Sequence, residues 1–222
     1  MASPAEVFKQ VQTLTADLVG ISLCTHQNFP SMEKLPNDQV EISFSNTENL
    51  SIVLKNRPYS EIYYELNHDN AYNLRMVDGA LIQMMYRFKK NEIIAHRLAF
   101  FPSPDLLEFQ NNAEYYEDDE IYADIVMKNI VATPLRFDFD SSDEVFQEVH
   151  HPRAHLTIGQ YLNCRIPVAA PITPFVFLDF ILRSFYNTAH RRYCTDLTNF
   201  EQKFDITITE KECSILHMRS GA

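Results

Sequence analysis

Three strand-like runs joined by two short turns lie between residues 73 and 101. The runs cover residues 73–77, 80–88 and 92–101. The first two are separated by Asp78-Gly79, a pair that supplies the positive φ angles of a tight hairpin turn. Pro102 follows the third run directly and ends it, because proline cannot donate to a sheet ladder. These spacings predict an antiparallel meander.

Two helices are predicted, one before and one after these strands. Ser3 followed by proline is a typical helix start, and the apolar residues of the stretch 5–19 fall on one helical face. Thr173 followed by proline starts a second, strongly apolar helix near residues 174–186. Because this helix is apolar on most sides, we expect its neighbours in the fold to bury it.

The other elements have weaker patterns, and with them the sequence predicts a single α+β domain over residues 1–222. The fold class is an antiparallel sheet meander packed against helices. The remaining predictions are a loop at residues 21–38, a helix at 59–66, strands at 39–44, 125–131, 135–139, 155–166 and 204–209, and a short element ending at Met218.

The composition is that of an ordinary globular protein, with 45% hydrophobic and 22% charged residues. No apolar run approaches the roughly 18–20 residues of a membrane span, and the N-terminus lacks a secretory pattern. The four cysteines are far apart and none forms a C-x-x-C pair, which indicates reduced thiols and a cytoplasmic location. With only four glycines, the chain contains neither a P-loop nor a dinucleotide-binding motif, and we predict no cofactor.

Acidic residues dominate the charge balance, and they concentrate in one segment. The formal net charge is −11, and residues 105–124 contain eight acidic residues and no basic one. One interpretation is a solvated loop that keeps the protein soluble. The other is a docking surface for a partner protein with a basic surface. The docking residues would be the acidic run and two neighbouring tyrosines, namely Tyr115, Tyr116, Glu117, Asp118, Asp119 and Glu120.

This charge disfavours nucleic acid as a general partner, because binding to a phosphate backbone releases counterions only where lysines and arginines cluster. Basic residues gather near residues 150–153 and 183–192. Any contact with nucleic acid should therefore be local. No membrane partner is predicted.

Polar and apolar residues alternate in three neighbouring stretches, residues 136–140, 150–159 and 164–167. Metal-independent cleavage of a phosphodiester needs a general base, a general acid and a cation that stabilises the developing negative charge. Histidines and arginines supply these groups at neutral pH. The candidate catalytic residues are His155, Arg136, Arg165 and His96, with Tyr161 as a further candidate.

The same stretches allow two other interpretations. One is a hydrogen-bonded ion cluster that ties neighbouring strands together, formed by Arg136, Asp138, His155 and Arg165. The other is a metal site, which no motif with ligand spacing supports. On an extended strand, His151 and His155 would lie over about 12 Å apart and could not share one zinc. We therefore predict no metal.

His155-Leu156-Thr157 resembles one half of the paired His-x-Thr signature of the two-histidine phosphoesterases. The other half is absent, since leucine stands two residues after His96. A lone His-x-Thr is a common tripeptide, so it indicates a phosphodiesterase only together with the neighbouring arginines.

Six short motifs occur in a fixed order between about residues 59 and 186. They are D-G-A-L-I-Q (78–83), R-L-A-F-F-P-S-P (97–104), P-L-R-F-D (134–138), H-L-T-I-G (155–159), N-C-R-I-P (163–167) and F-I-L-R (180–183). Together they resemble a bacterial family, the domain-of-unknown-function family 2290. The resemblance implies a bacterial cytosolic accessory protein from a phage-defence or toxin–antitoxin type locus, and it supplies no catalytic residues.

Two functions of different classes follow from these observations. The leading interpretation is an accessory protein that acts through protein–protein interaction at its acidic segment. The alternative is a metal-independent nuclease that cleaves nucleic-acid phosphodiesters with the His/Arg cluster. The sequence leaves open whether the protein is an enzyme.

Overall fold

The computed structural model of the chain describes residues 2–45, 57–105, 124, 132–161, 163–195 and 197–219. This described part contains five helices and nine strands, which confirms the predicted α+β class. The helices are α1 (Pro4–Gly20), α2 (Tyr59–His68), α3 (Pro174–Phe185), α4 (Asn187–Tyr193) and α5 (Glu210–Cys213). The strands are β1 (Cys24–Gln27), β2 (Ser31–Leu35), β3 (Gln39–Ser43), β4 (Leu74–Met76), β5 (Leu81–Lys89), β6 (Glu92–Phe101), β7 (Leu135–Asp140), β8 (Ala154–Ile158) and β9 (Ile166–Pro167).

All the strands belong to one antiparallel sheet with the order β1-β4-β5-β6-β7-β8-β9, in which β3 also pairs with β5 and β2 pairs with β3. The predicted meander is confirmed. Gly79 has φ 82° in the turn before β5, and Lys90 and Asn91 have φ 49° and 71° in the turn before β6. A two-residue hairpin turn requires positive φ at both residues, as at Lys90 and Asn91, whereas Gly79 is the one left-handed residue of a three-residue connection.

Helices α1 and α3 cover one face of the sheet. Leu14 of α1 and Phe177 and Ile181 of α3 belong to the same buried cluster as Leu98 and Phe137 of the central strands. Burial on this scale is the main stabilising contribution to such a fold. The apolar helix predicted near 174–186 is therefore present and packed on the sheet as expected.

Helix α2 covers one end of the other face. Its residues Ile62 and Leu66 are buried in a second cluster with Leu81, Ala99 and Phe101. Side chains two residues apart on a strand share a face, so this face continues along β6 to Arg97. The sheet is thus apolar under α2 and polar further along the same face.

Both helix starts are capped as the sequence predicts. The Ser3 side chain accepts a hydrogen bond from the Glu6 N–H, and the Glu6 carboxylate accepts one from the Ser3 N–H in return. Thr173 caps α3 in the same way by accepting from the Val176 N–H. Such caps satisfy backbone donors that have no partner within the helix.

The loop predicted at residues 21–38 is wrong, because β1 and β2 lie within it. Both strands are at the sheet edge and mostly exposed, so they lack the apolar alternation by which a half-buried strand is recognised. Asn37 and Asp38, with φ 62° and 58°, form the hairpin turn between β2 and β3. The strand predicted at 39–44 is confirmed as β3.

Two other strand predictions are wrong in part or whole. The run 155–166 is split, because Gly159 with φ 64° ends β8 and only Ile166–Pro167 resumes as β9. Residues 204–209 form no strand, since the N–H groups of Thr207 and Ile208 both donate to the Ala169 carbonyl and build no ladder. The strand predicted at 125–131 lies outside the described residues.

The described residues also bear on two predictions for the chain as a whole, those on membrane spans and on the cysteines. None of the helices found there is both long and apolar enough to cross a membrane. The cysteines are all free thiols, namely Cys24, Cys164, Cys194 and Cys213.

Candidate functional site

A row of polar residues crosses the polar half of the sheet. Arg97 of β6 lies directly opposite Asp138 of β7, and Asp138 lies directly opposite His155 of β8. Residues opposite each other on antiparallel strands point to the same face. Arg136, two residues before Asp138, joins them on that face.

Asp138 is the centre of this row. The Arg136 Nε lies 2.5 Å from its Oδ2 and the Arg97 Nε lies 3.4 Å from its Oδ1. The His155 Nε2 is 3.9 Å from Oδ2, which is beyond hydrogen-bonding distance. Burial alone would raise the pKa of Asp138, but the charges of Arg136 and Arg97 outweigh burial and hold this pKa below its ordinary value. The carboxylate is therefore ionised and paired on both sides.

The row lines an open pocket of about 470 Å³ on the surface of the sheet. Five arginines line it against three carboxylates, those of Glu41, Asp138 and Asp140. This local excess of positive charge occurs in a chain with a net charge of −11. We call this site the arginine pocket and define it by its arginines, which are Arg87, Arg97, Arg136, Arg153 and Arg165.

Most of these arginines have a partner. The Arg87 guanidinium lies 2.6 Å from the Glu41 carboxylate. Arg153 pairs with Asp143 and stacks over the Phe146 ring at 4.7 Å from its centroid. Arg165, just before β9, forms no ion pair within the described part of the chain. It is half-buried and lines the pocket, so its guanidinium is available to an anionic ligand there.

His155 is held in one tautomer. Its Nδ1 lies 2.9 Å from the Pro152 carbonyl, and since a carbonyl only accepts, Nδ1 carries the proton and Nε2 bears the lone pair. Burial lowers the pKa of His155, an effect that the Pro152 carbonyl and the Asp138 carboxylate oppose. His155 is thus neutral near pH 7 and has a basic nitrogen in the pocket.

His151 lies next to His155, with the two ring centroids 5.1 Å apart. The distance predicted for an extended strand is therefore wrong. Strand β8 begins only at Ala154, and residues 147–151 form a short hairpin in which Gln147 and His151 exchange hydrogen bonds. Even so, no group of three or more metal-ligating side chains suited to a metal ion occurs among the described residues.

His96 is among the residues that line the pocket, but its side chain lies on the opposite face of the sheet from that of His155. It pairs with Phe139, one residue out of register with the Arg97–Asp138 row, and its Nε2 accepts a hydrogen bond of 3.0 Å from the Ile172 N–H. Burial lowers the pKa of His96 to about 4. The two predicted catalytic histidines are therefore not brought together, because adjacent residues of a strand alternate in direction.

Tyr161, the further candidate, is 75% exposed in the turn between β8 and β9 and is not among the residues that line the arginine pocket. Arg136, His155 and Arg165 do line it together. Part of the expected ion cluster is present, because Arg136 pairs with Asp138 and Arg97 takes the place expected for Arg165. The neutral His155 lies beside this cluster without a hydrogen bond to Asp138.

His96 gives a prediction for stability against pH. Its unfolded form binds a proton at its ordinary pKa of 6.5, whereas the folded form excludes that proton until about pH 4. The free energy of unfolding should therefore fall as the pH drops from 6.5 to 4, by up to about 3 kcal/mol from this residue. In His96→Gln, whose amide oxygen can accept from Ile172, urea unfolding across this range should show a flatter dependence. An unchanged slope would contradict the assignment.

Sequence reasoning missed three arginines and one histidine of the pocket. Arg87 and Arg97 share a face only because a bulge between Arg87 and Phe88 shifts the register that the turn at Lys90 and Asn91 would otherwise set, and no sequence pattern indicates that bulge. Arg153 and His151 belong to the stretches that the sequence singles out, but no pattern places them in the pocket, because their positions depend on an irregular segment between β7 and β8.

The residues predicted to dock a partner protein lie outside the described residues. These are Tyr115, Tyr116, Glu117, Asp118, Asp119 and Glu120. Their docking role stays a prediction.

A family model described as "Uncharacterized conserved protein (DUF2290)" matches residues 23–220. The match includes every residue of the arginine pocket. No curated protein and no solved structure matches the chain.

Proposed function

Since the chain belongs to the DUF2290 family of uncharacterized conserved proteins, whose description names no activity, we propose a function from the arginine pocket itself. The pocket binds a phosphodiester of a nucleic acid and cleaves it with His155 as general base. The observation that supports this most strongly is the half-buried Arg165, without an ion pair in the described residues, in the same pocket as a neutral His155.

Binding rests on charge and shape. A guanidinium presents two parallel N–H donors, which match two oxygens of a phosphate. Arg165 provides this fork, and Arg136 and Arg97 leave further positive charge in the same pocket, because the two share the single negative charge of Asp138. Because the whole chain carries a charge of −11, only a short stretch of nucleic acid can approach without repulsion.

Cleavage requires proton transfer at two oxygens. The His155 Nε2 accepts the proton of an attacking hydroxyl, whose oxygen forms a new bond to phosphorus. The bond from phosphorus to the leaving oxygen then breaks, and His151 acts as the general acid that donates a proton to that oxygen. Arg165 stabilises the negative charge that develops on the phosphoryl oxygens. The two histidine rings are in contact, with centroids 5.1 Å apart, and both line the pocket that the phosphate would occupy.

Arg165→Ala tests the binding half of this proposal. The variant should bind a fluorescent single-stranded oligonucleotide about 10- to 100-fold more weakly, because a hydrogen bond to a charged group contributes about 1.5–3 kcal/mol. Anisotropy titrations at several salt concentrations should also show a smaller salt slope. Arg165→Lys keeps the charge and should recover part of the affinity.

Arg183→Ala is the matched control. It removes the same charge from an exposed position on α3, where Arg183 lies 3.6 Å from Asp179 and outside the pocket. Equal losses of affinity in Arg165→Ala and Arg183→Ala would mean that only net charge matters, and would overturn the pocket assignment.

The acidic segment supports a second proposed function, an accessory role through protein–protein interaction. The observation behind this proposal is that residues 105–124 contain eight acidic residues and no basic one. A basic partner, a cytosolic location and a phage-defence or toxin–antitoxin context belong to this proposal. Neutralising Glu117 to Glu120 together should weaken association with such a partner and reduce its salt dependence.

A further inference from the structure

Glu212 of α5 is a buried carboxylate that joins two segments of the chain. Its side chain is inside the protein, with only 1% of the residue exposed. One oxygen accepts a hydrogen bond of 3.0 Å from the Thr209 N–H and so caps its own helix. The other accepts a hydrogen bond of 3.2 Å from the Val149 N–H, more than 60 residues earlier in the chain.

Val149 lies at the tip of the hairpin that carries His151. Its φ of 70° is in the left-handed region, which β-branched residues rarely adopt because the side chain clashes with the backbone. Strain of this kind persists only when neighbouring groups hold the backbone in place. The Glu212 carboxylate accepts the hydrogen bond that the N–H of this strained residue donates.

The hairpin links the backbone of Val149 to that of His151. Gln147 and His151 exchange two backbone hydrogen bonds of 3.1 and 2.6 Å across the turn at Val149. The His151 backbone is therefore fixed once the turn is fixed. From there its ring contacts the ring of His155, which the Pro152 carbonyl holds from the other side.

We propose that Glu212 is a positioning residue, which holds the 147–151 hairpin so that His151 lies against His155 in the arginine pocket. The inference rests on the proposed function for its catalytic consequence, though not for the structural link itself. Glu212 is remote from the reacting atoms and acts only through Val149 and His151. The C-terminal helix α5 thereby completes the proton-donating side of the site.

The test uses two variants of nearly equal length and volume. Glu212→Met fills the buried space but accepts no hydrogen bond, and Glu212→Gln keeps one acceptor oxygen of the two. We expect the nuclear Overhauser effect between the His151 and His155 rings to disappear in Glu212→Met and to weaken in Glu212→Gln. Cleavage of the oligonucleotide should lose roughly 100-fold in kcat in Glu212→Met, with KM nearly unchanged, because the proton donor is misplaced and the arginines are not.

Lys211→Ala is the control from the same helix. Lys211 also reaches the hairpin, at 3.7 Å from Glu148, but this ion pair is exposed and should contribute little. Its loss should leave the ring contact and kcat unchanged. If Glu212→Met does not fold, Glu212→Gln and Lys211→Ala decide, since only the former should weaken the contact.

The outcomes separate the inference from the function it rests on. If the wild-type protein neither binds nor cleaves an oligonucleotide, the proposed function fails, while the ring contact still reports on Glu212. If the ring contact survives in Glu212→Met, the positioning role is wrong even when the wild type is active. A rise in KM without a fall in kcat in Glu212→Met would also overturn the positioning role.

Discussion

Replacement of His155 by asparagine is expected to lower the rate of phosphodiester cleavage at least about 100-fold, the usual contribution of a general base. Asparagine places an N–H close to the position of Nδ1, so it can still donate to the Pro152 carbonyl. It removes the far side of the ring with Nε2, the nitrogen that has the free lone pair. Oligonucleotide affinity should stay within about threefold of wild type, because Arg165 and the other arginines are untouched.

The measurement is single-turnover cleavage of a labelled RNA and the matching DNA, with the products identified by mass spectrometry. A ribose hydroxyl as nucleophile would leave a 2′,3′-cyclic phosphate, and water would leave a linear one. His155→Ala is the harsher variant, since it also leaves a cavity in a buried position. Undiminished cleavage by His155→Asn would refute the role of His155.

The same two variants also test whether His155 has a structural role. If His155→Ala unfolds and His155→Asn does not cleave less, the histidine serves the ion cluster and not a reaction. Thermal melts of both variants beside the wild type separate these cases. We expect His155→Asn to melt close to the wild-type temperature, because its one strong hydrogen bond is retained.

Local sequence patterns were sufficient wherever an element has its own start or turn residues. Ser3 and Thr173 cap their helices as predicted, and the Asp78-Gly79 turn precedes β5. In such places the local preference and the final fold agree. Edge strand β2 was missed for the opposite reason, since its exposed side chains have no apolar period to recognise.

The candidate site needed information that no local pattern contains. Period two along β6 already separates His96, on the face of buried Leu98, from Arg97 on the other face. The pairing of Arg97 with Asp138, however, depends on the register between β6 and β7, which are not joined by a short turn. The meeting of His151 and His155 depends on a left-handed valine that sequence statistics disfavour.

Replacement of Asp138 by asparagine is expected to lower the free energy of unfolding at pH 7 by about 3 kcal/mol or more. The change leaves Arg97 and Arg136 without their shared carboxylate in a largely buried site, and removal of one partner from a buried ion pair typically costs about 3–5 kcal/mol. Glu61→Gln is the matched control, because its ion pair with Arg57 is exposed and should contribute little to stability. Urea unfolding of the three proteins measures both changes.

The pH dependence of that difference tests its cause. Because the folded-state pKa of Asp138 is lowered from 3.8, its stabilisation is complete above the unfolded-state value and is lost as the pH falls through the folded-state value. Wild type and Asp138→Asn should therefore differ fully at pH 5 and above and converge under stronger acid. A difference that persists there would indicate lost packing and not lost charge.

Asp138→Asn should at the same time bind phosphate-bearing ligands more tightly. In the wild type, Asp138 pairs with two of the five arginines of the pocket, and the substitution leaves both guanidinium groups unpaired in the pocket that Arg165 also lines. If this one substitution both lowers stability and raises anion affinity, the positive charge of the arginines serves anion binding at the expense of stability. Loss of both properties together would instead assign the cluster to the fold alone, and Arg165 would then be the arginine on which phosphate binding depends.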